Sequence, residues 1–124
     1  MFGFGKKESL HDVLRADFIE SINEMKLAGR TEQVLAGTMI NVLYNHLLST
    51  YGNKENFQKA DTNSKVAFLN HVQDTRRSQN SEAAREGCHL FCHWVTVLAK
   101  NDRKLENEFF NEIKFLSEIA DKSR

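Results

Sequence analysis

Apolar residues recur along this chain at intervals of three and four, and no convincing period-two run appears, so the pattern predicts an all-α fold. Leu10, Val13, Leu14, Phe18, Ile22 and Met25 trace one stripe that Gly29 brings to an end. Ser9, with Asp12 three residues later, resembles a capping arrangement, which gives a first helix over about Ser9 to Ala28. The next segment departs from this amphipathic form. From Gln33 to Asn53 the chain runs 21 residues without a charged side chain. Val34, Leu35, Met39, Ile40, Val42, Leu43, Tyr44, Leu47, Leu48 and Tyr51 surround almost the whole helix there, leaving a narrow polar arc of Thr38, Asn41, Asn45 and Ser49. With Thr31 as N-cap, Glu32 against the positive end of the dipole and Gly52 as stop, this second helix covers about residues 32–51. A helix of that kind is the centre of a bundle or one side of a subunit interface.

The remaining elements are more ordinary. A short amphipathic piece, Lys54 to Lys59, leads to the capping cluster Asp61, Thr62, Asn63 and Ser64, and a third helix carrying Val66, Phe68, Leu69 and Val72 starts near Ser64. Between Gln73 and Glu86 the apolar residues are Ala83 and Ala84 alone. Either a turn around Ser78 to Ser81 divides two helices or one long helix crosses a solvated gap; Ser81 as an N-cap favours division. A helix from about Glu82 to Lys100 follows, and Asp102 caps a last one holding Leu105, Phe109, Ile113, Leu116 and Ile119. The expected architecture is a single bundle of four to five helices over residues 9–121, built around the uncharged helix. A flexible segment, 1–8, precedes it and a tail, 122–124, follows.

Composition narrows the function classes. At 124 residues one domain is expected, long enough to bury a core without metal or disulfide help. Seventeen basic and seventeen acidic residues balance, which argues against a strongly steered polyanion such as nucleic acid. The basic clusters Lys6, Lys7 and Arg76, Arg77, Arg85 also lack an aromatic platform. Cys88 and Cys92 lie one helical turn apart in poor bridging geometry and read as reduced thiols. With no charged-then-apolar leader, a cytoplasmic protein is the expectation. Thr38, Asn41, Asn45, His46, Ser49 and Thr50 make the uncharged helix a poor membrane span. Phe2, Phe4, Lys6 and Lys7 form an aromatic-basic start suited at most to weak contact with a membrane or a partner's groove, or else to a terminus tucked under the core.

The densest candidate chemistry lies at Cys88, His89, Cys92 and His93, four ligand-bearing residues within six positions. On a helix the cysteines share one face and the histidines another, about 100° away, so one ion cannot take all four. The histidine face still offers a partial metal site, Glu86, His89 and His93, to be completed by another helix or subunit; the alternative is a solvated polar stripe. A second Glu-x-x-His occurs at Glu8 and His11, but the inward glutamates that a dimetal bundle also needs are missing from the second and third helices. The cysteines read as small buried hydrophobes or, alternatively, as a redox pair. Three residues separate them before His93, which fails the covalent haem signature. For noncovalent haem His46 is the candidate ligand, with His71 as a second if their helices face each other; the alternative is a neutral core histidine. Asp17, Glu20 and Glu24 read as the charged outer face of the first helix. Neither a nucleophile elbow nor a phosphate loop is present, so an enzyme has no sequence support.

These readings converge on an interaction or regulatory protein without catalysis and without need of a cofactor. It is expected to form a homodimer, or to bind another protein, through Met39, Leu43, Tyr44, Leu47 and Tyr51, with an ordinary interface of about 1,200 to 2,000 Å² in total. The competing reading is a metal- or haem-binding sensor using His46 and His71, or Glu86, His89 and His93.

Overall fold

The computed structural model describes residues 10–123, and these form six α-helices and no strand: α1 (Leu10–Leu27), α2 (Arg30–Tyr51), α3 (Lys54–Lys59), α4 (Thr62–Ser78), α5 (Glu82–Ala99) and α6 (Arg103–Lys122). Phe2, Phe4, Lys6, Lys7, Glu8 and the Ser9 cap lie outside the described residues.

Short polar side chains set most of the helix starts. Asn53 accepts from the Asn56 N–H at 2.7 Å, Asp61 from Ser64 at 2.8 Å, Ser81 from Ala84 at 3.3 Å and Asp102 from Leu105 at 3.1 Å. Each takes one of the backbone donors that the first helical turn leaves unpaired. The Ser81 cap divides α4 from α5, and the Asp61 cap starts α4 two residues before Ser64. At α2 the expectation fails by two residues, since Gly29 is the N-cap, makes no side-chain bond, and leaves Thr31 inside the first turn. Gly52 ends α2 as expected, at φ +90°, with its N–H on the Leu48 carbonyl at 2.8 Å.

α2 is central and packs along both α5 and α6, and two glycines explain how closely. A Cβ at Gly37 would fall inside the contact distance of the Leu116 carbonyl of α6, and one at Gly87 of α5 inside that of the Ala36 backbone. Two consecutive residues of α2, Ala36 and Gly37, therefore meet two different helices backbone to backbone. Such approach multiplies the dispersion contacts of the flanking side chains and leaves no room for even a methyl group.

The most deeply buried helix is nevertheless α5, which encloses eleven of its eighteen residues, against five of twenty-two for α2. Lack of charge did not translate into burial all round. Val42 stays 50% exposed and Leu35 39%, on a stripe shared with Thr38, Asn45 and Ser49. The expected interface residues are placed differently. Leu43 and Leu47 are fully covered within the chain, and Met39, Tyr44 and Tyr51 are half-buried against the same core. They face inward because the stripe through Ile40, Leu43 and Leu47 is the one α5 and α6 cover, so Leu43 and Leu47 are corrected from interface to core.

One buried carboxyl joins α3, α5 and α6. Glu106 of α6 accepts from Trp94 Nε1 of α5 at 3.0 Å and lies 3.4 Å from Lys54 Nζ of α3. Both the indole N–H and the carboxylate would be costly to bury alone, and each supplies the other's partner.

Candidate metal centre

α5 presents its ligand-bearing residues on two faces. Cys88 and Cys92 turn into the core with Leu90, Phe91, Trp94 and Val95, while His89 and His93 emerge half-buried at its edge. The histidines stand one turn apart, ring centroids 4.3 Å from each other.

α1 brings the third group. Phe18 of α1 is fully buried and stacks on Phe109 of α6 at 3.8 Å and 7° between planes, with His93 6.4 Å away. Ile22 and Met25 follow at helical spacing and seat the same face. This anchoring holds Asp17, the residue before Phe18, over the α5 histidines. Its Oδ2 lies 2.8 Å from His89 Nε2 and 2.6 Å from His93 Nε2. The side chains are 47% exposed for Asp17, 20% for His89 and 14% for His93.

An ionised carboxylate only accepts, so each imidazole donates an Nε2–H to the shared oxygen. The two hydrogen bonds, His93 first, hold the Asp17 carboxyl below the usual carboxylate range against the opposing effect of burial. Burial dominates at His93 and lowers it, with its neighbours His89 and Arg76 acting the same way and Asp17 opposing them. The cluster is thus poised with an ionised carboxylate beside an imidazole that resists protonation, the forms in which both groups bind metal.

One oxygen and two imidazole nitrogens lie within 4.8 Å of one another, and no other group of three such ligands occurs among the described residues. A tetrahedral ion with bonds of about 2.0–2.1 Å sets its donors roughly 3.3–3.4 Å apart. Asp17 stands at hydrogen-bond spacing instead. An ion held by all three groups would need the proton of each neutral imidazole on Nδ1 rather than Nε2, and the carboxylate farther back by roughly 0.5–0.8 Å on that geometry, within the reach of a half-exposed side chain.

The carboxylate that meets the two histidines is Asp17. Glu86 is half-buried one turn before His89 and takes no place in the cluster. The sequence pattern puts Asp17 on a solvated outer face with Glu20 and Glu24, which are indeed exposed. Its position next to Phe18, at the margin of the apolar stripe, was the available signal. His11 binds Asp102, with 3.1 Å between His11 Nδ1 and Asp102 Oδ2.

His46 and His71 do come together, from α2 and α4, with ring centroids 4.3 Å apart and His46 stacked on Phe68. Both are exposed, and rings so close lack the separation of two axial ligands on opposite sides of a porphyrin. Burial pushes the Cys88 thiol up to about 11 and also raises Cys92. Thiols in that state are poor nucleophiles and suit the role of small core residues.

Comparison with known proteins finds no family whose sequence profile matches this chain, no curated protein with a matching sequence and no solved structure with a matching fold. No helix among the described residues is long and apolar enough to cross a membrane.

Proposed function

We propose that this chain is a metal-binding helical protein of the sensor type that holds one first-row divalent ion, zinc foremost, through Asp17 Oδ2, His89 Nε2 and His93 Nε2. The observation that carries this reading is the convergence of one carboxylate oxygen and two imidazole nitrogens from two helices within 4.8 Å. Imidazole nitrogen suits zinc, copper, iron and nickel, whereas magnesium and calcium take oxygen ligands, so the donor set selects the transition series. Two histidines at i and i+4 on one helix face chelate an ion without moving the backbone. Three protein ligands at a half-exposed edge leave a further position for water or an exogenous ligand.

Native mass spectrometry on protein prepared without chelator or affinity metal, followed by zinc titration, tests the reading. One zinc per chain, lost in the H89A/H93A double variant and kept in the H46A/H71A variant, is the expected result. Retention of zinc by H89A/H93A, or no binding in the intact chain, overturns it.

Self-association through α2 is a second reading, favoured by the uncharged outward stripe of Leu35, Thr38, Val42, Asn45 and Ser49, spaced by three and four. Leu35 and Val42 replace Leu43 and Leu47 as its apolar members. A dimer mass that Leu35→Glu with Val42→Glu reduces to monomer supports it, and a monomer at high concentration removes it.

A further inference from the structure

We propose that the ion held by Asp17, His89 and His93 acts as a latch that docks the N-terminal half of α1 onto α5, so that metal occupancy governs whether this part of α1 is seated. The inference rests on the metal-binding reading above and adds a consequence of where the three ligands come from. Two are on α5, the inner helix, and the third is on α1, so binding bridges a rigid element to a movable one.

α1 is fastened unevenly. Its buried side chains are Phe18, Ser21, Ile22 and Met25, all after Asp17. Before Asp17, Val13 is 49% exposed and Leu14, half-buried, packs against the core, while polar contacts to the rest of the bundle include His11 with Asp102 and Arg15 Nε with Glu108 Oε2 at 2.7 Å. Exposed ion pairs of that kind contribute little. The surface beside it is indented as well. A half-open cleft of about 140 Å³ lies against His11, Leu14, Val97, Asp102 and Leu105, where α1 meets α5 and the start of α6. A segment with few buried apolar side chains, surface ion pairs and a solvent-open cleft beside it belongs to the low-stability end of a fold.

Linkage then sets the size of the effect. An ion that binds the docked form more tightly than the undocked form suppresses undocking by the ratio of the two affinities. In the undocked form the His89 and His93 pair remains on α5 while Asp17 is withdrawn. Asp17→Asn imitates that site, so the ratio of its zinc dissociation constant to that of the unaltered chain equals the expected suppression.

The experiment is hydrogen exchange of the intact protein, read by mass spectrometry on the amides of residues 14–20, with and without saturating zinc. Circular dichroism verifies that Asp17→Asn retains its helices. The expected result is that zinc slows exchange in this segment by the factor that the two dissociation constants define, and leaves it unchanged in Asp17→Asn. Zinc bound at one ion per chain with no slowing at 14–20 overturns the latch while leaving the metal site standing, as does slowing of equal size in Asp17→Asn. Failure of the intact chain to bind zinc overturns both.

Discussion

Two histidine pairs in this molecule have the same ring separation, 4.3 Å, and opposite surroundings. His46 and His71 meet across α2 and α4 at the surface, stacked beside Phe68. His89 and His93 ride one turn apart on α5, and α1 lowers a carboxylate between them. Proximity of imidazoles is therefore not the distinguishing property. What separates the pairs is the anion: a carboxylate supplies charge to offset that of an ion, fixes both rings by hydrogen bonding, and adds the third ligand. The comparison also separates rigid from loose placement. The α5 pair sits on a helix whose opposite side is packed backbone to backbone on α2, whereas both members of the other pair project into solvent.

The sharpest way to break this comparison is to delete each pair. H89A/H93A is expected to weaken zinc binding by at least about 100-fold, a loss of about 2.7 kcal/mol or more, while H46A/H71A changes it by less than about twofold. Isothermal titration measures both, and equal losses would mean that the carboxylate adds nothing. Next comes the seating of α5. Gly87→Ala is expected to destabilise the fold by about 1–3 kcal/mol, because its Cβ meets the Ala36 backbone, and Gly37→Ala to do the same against Leu116. Urea unfolding measures this. Position 87 lies two residues from His89 and on nearly the opposite side of the helix, so zinc affinity in Gly87→Ala is expected to fall by less than stability does.

Removing the charge that distinguishes the pairs, by Asp17→Asn, is expected to lower zinc affinity by about tenfold, or about 1.4 kcal/mol. An unchanged affinity would return Asp17 to the solvated face. The smallest effect is the pH dependence of the metal-free protein. His93 is lowered in the fold, so the unfolded chain binds more protons and stability falls as pH drops from about 6.5 through the lower folded value. Asp17 is also lowered, and its contribution, present above 3.8, is lost as pH falls through its own folded value. The two act in the same direction. Solvent screening at the half-exposed Asp17 keeps its part under about 1 kcal/mol, and urea midpoints between pH 7 and pH 4 that H93A leaves unaltered would remove the His93 part.

Much of the fold was legible in the chain. Helical class, the Gly52 stop and the Ser81 and Asp102 caps follow from local chemistry, since a cap needs only a short acceptor at the right backbone position. The two faces of α5, cysteines inward and histidines at the edge, follow from helical periodicity alone. His89 and His93 were therefore identifiable as a pair before any neighbour was known.

Three matters belonged to the tertiary structure. Leu43 and Leu47 became core because α5 and α6 cover their side of α2, and a helix apolar nearly all round carries no mark of which side that will be. Gly37 and Gly87 became crossing points, although a glycine inside a helix has no local signature that distinguishes close packing from mere tolerance. Asp17 joined residues more than seventy positions away because the stacking of Phe18 on Phe109 sets how α1 lies across α5. Sequence periodicity assigns a side chain to a face of its own helix; which other helix supplies the missing ligand depends on how those faces pack, and that is decided only when the whole core closes.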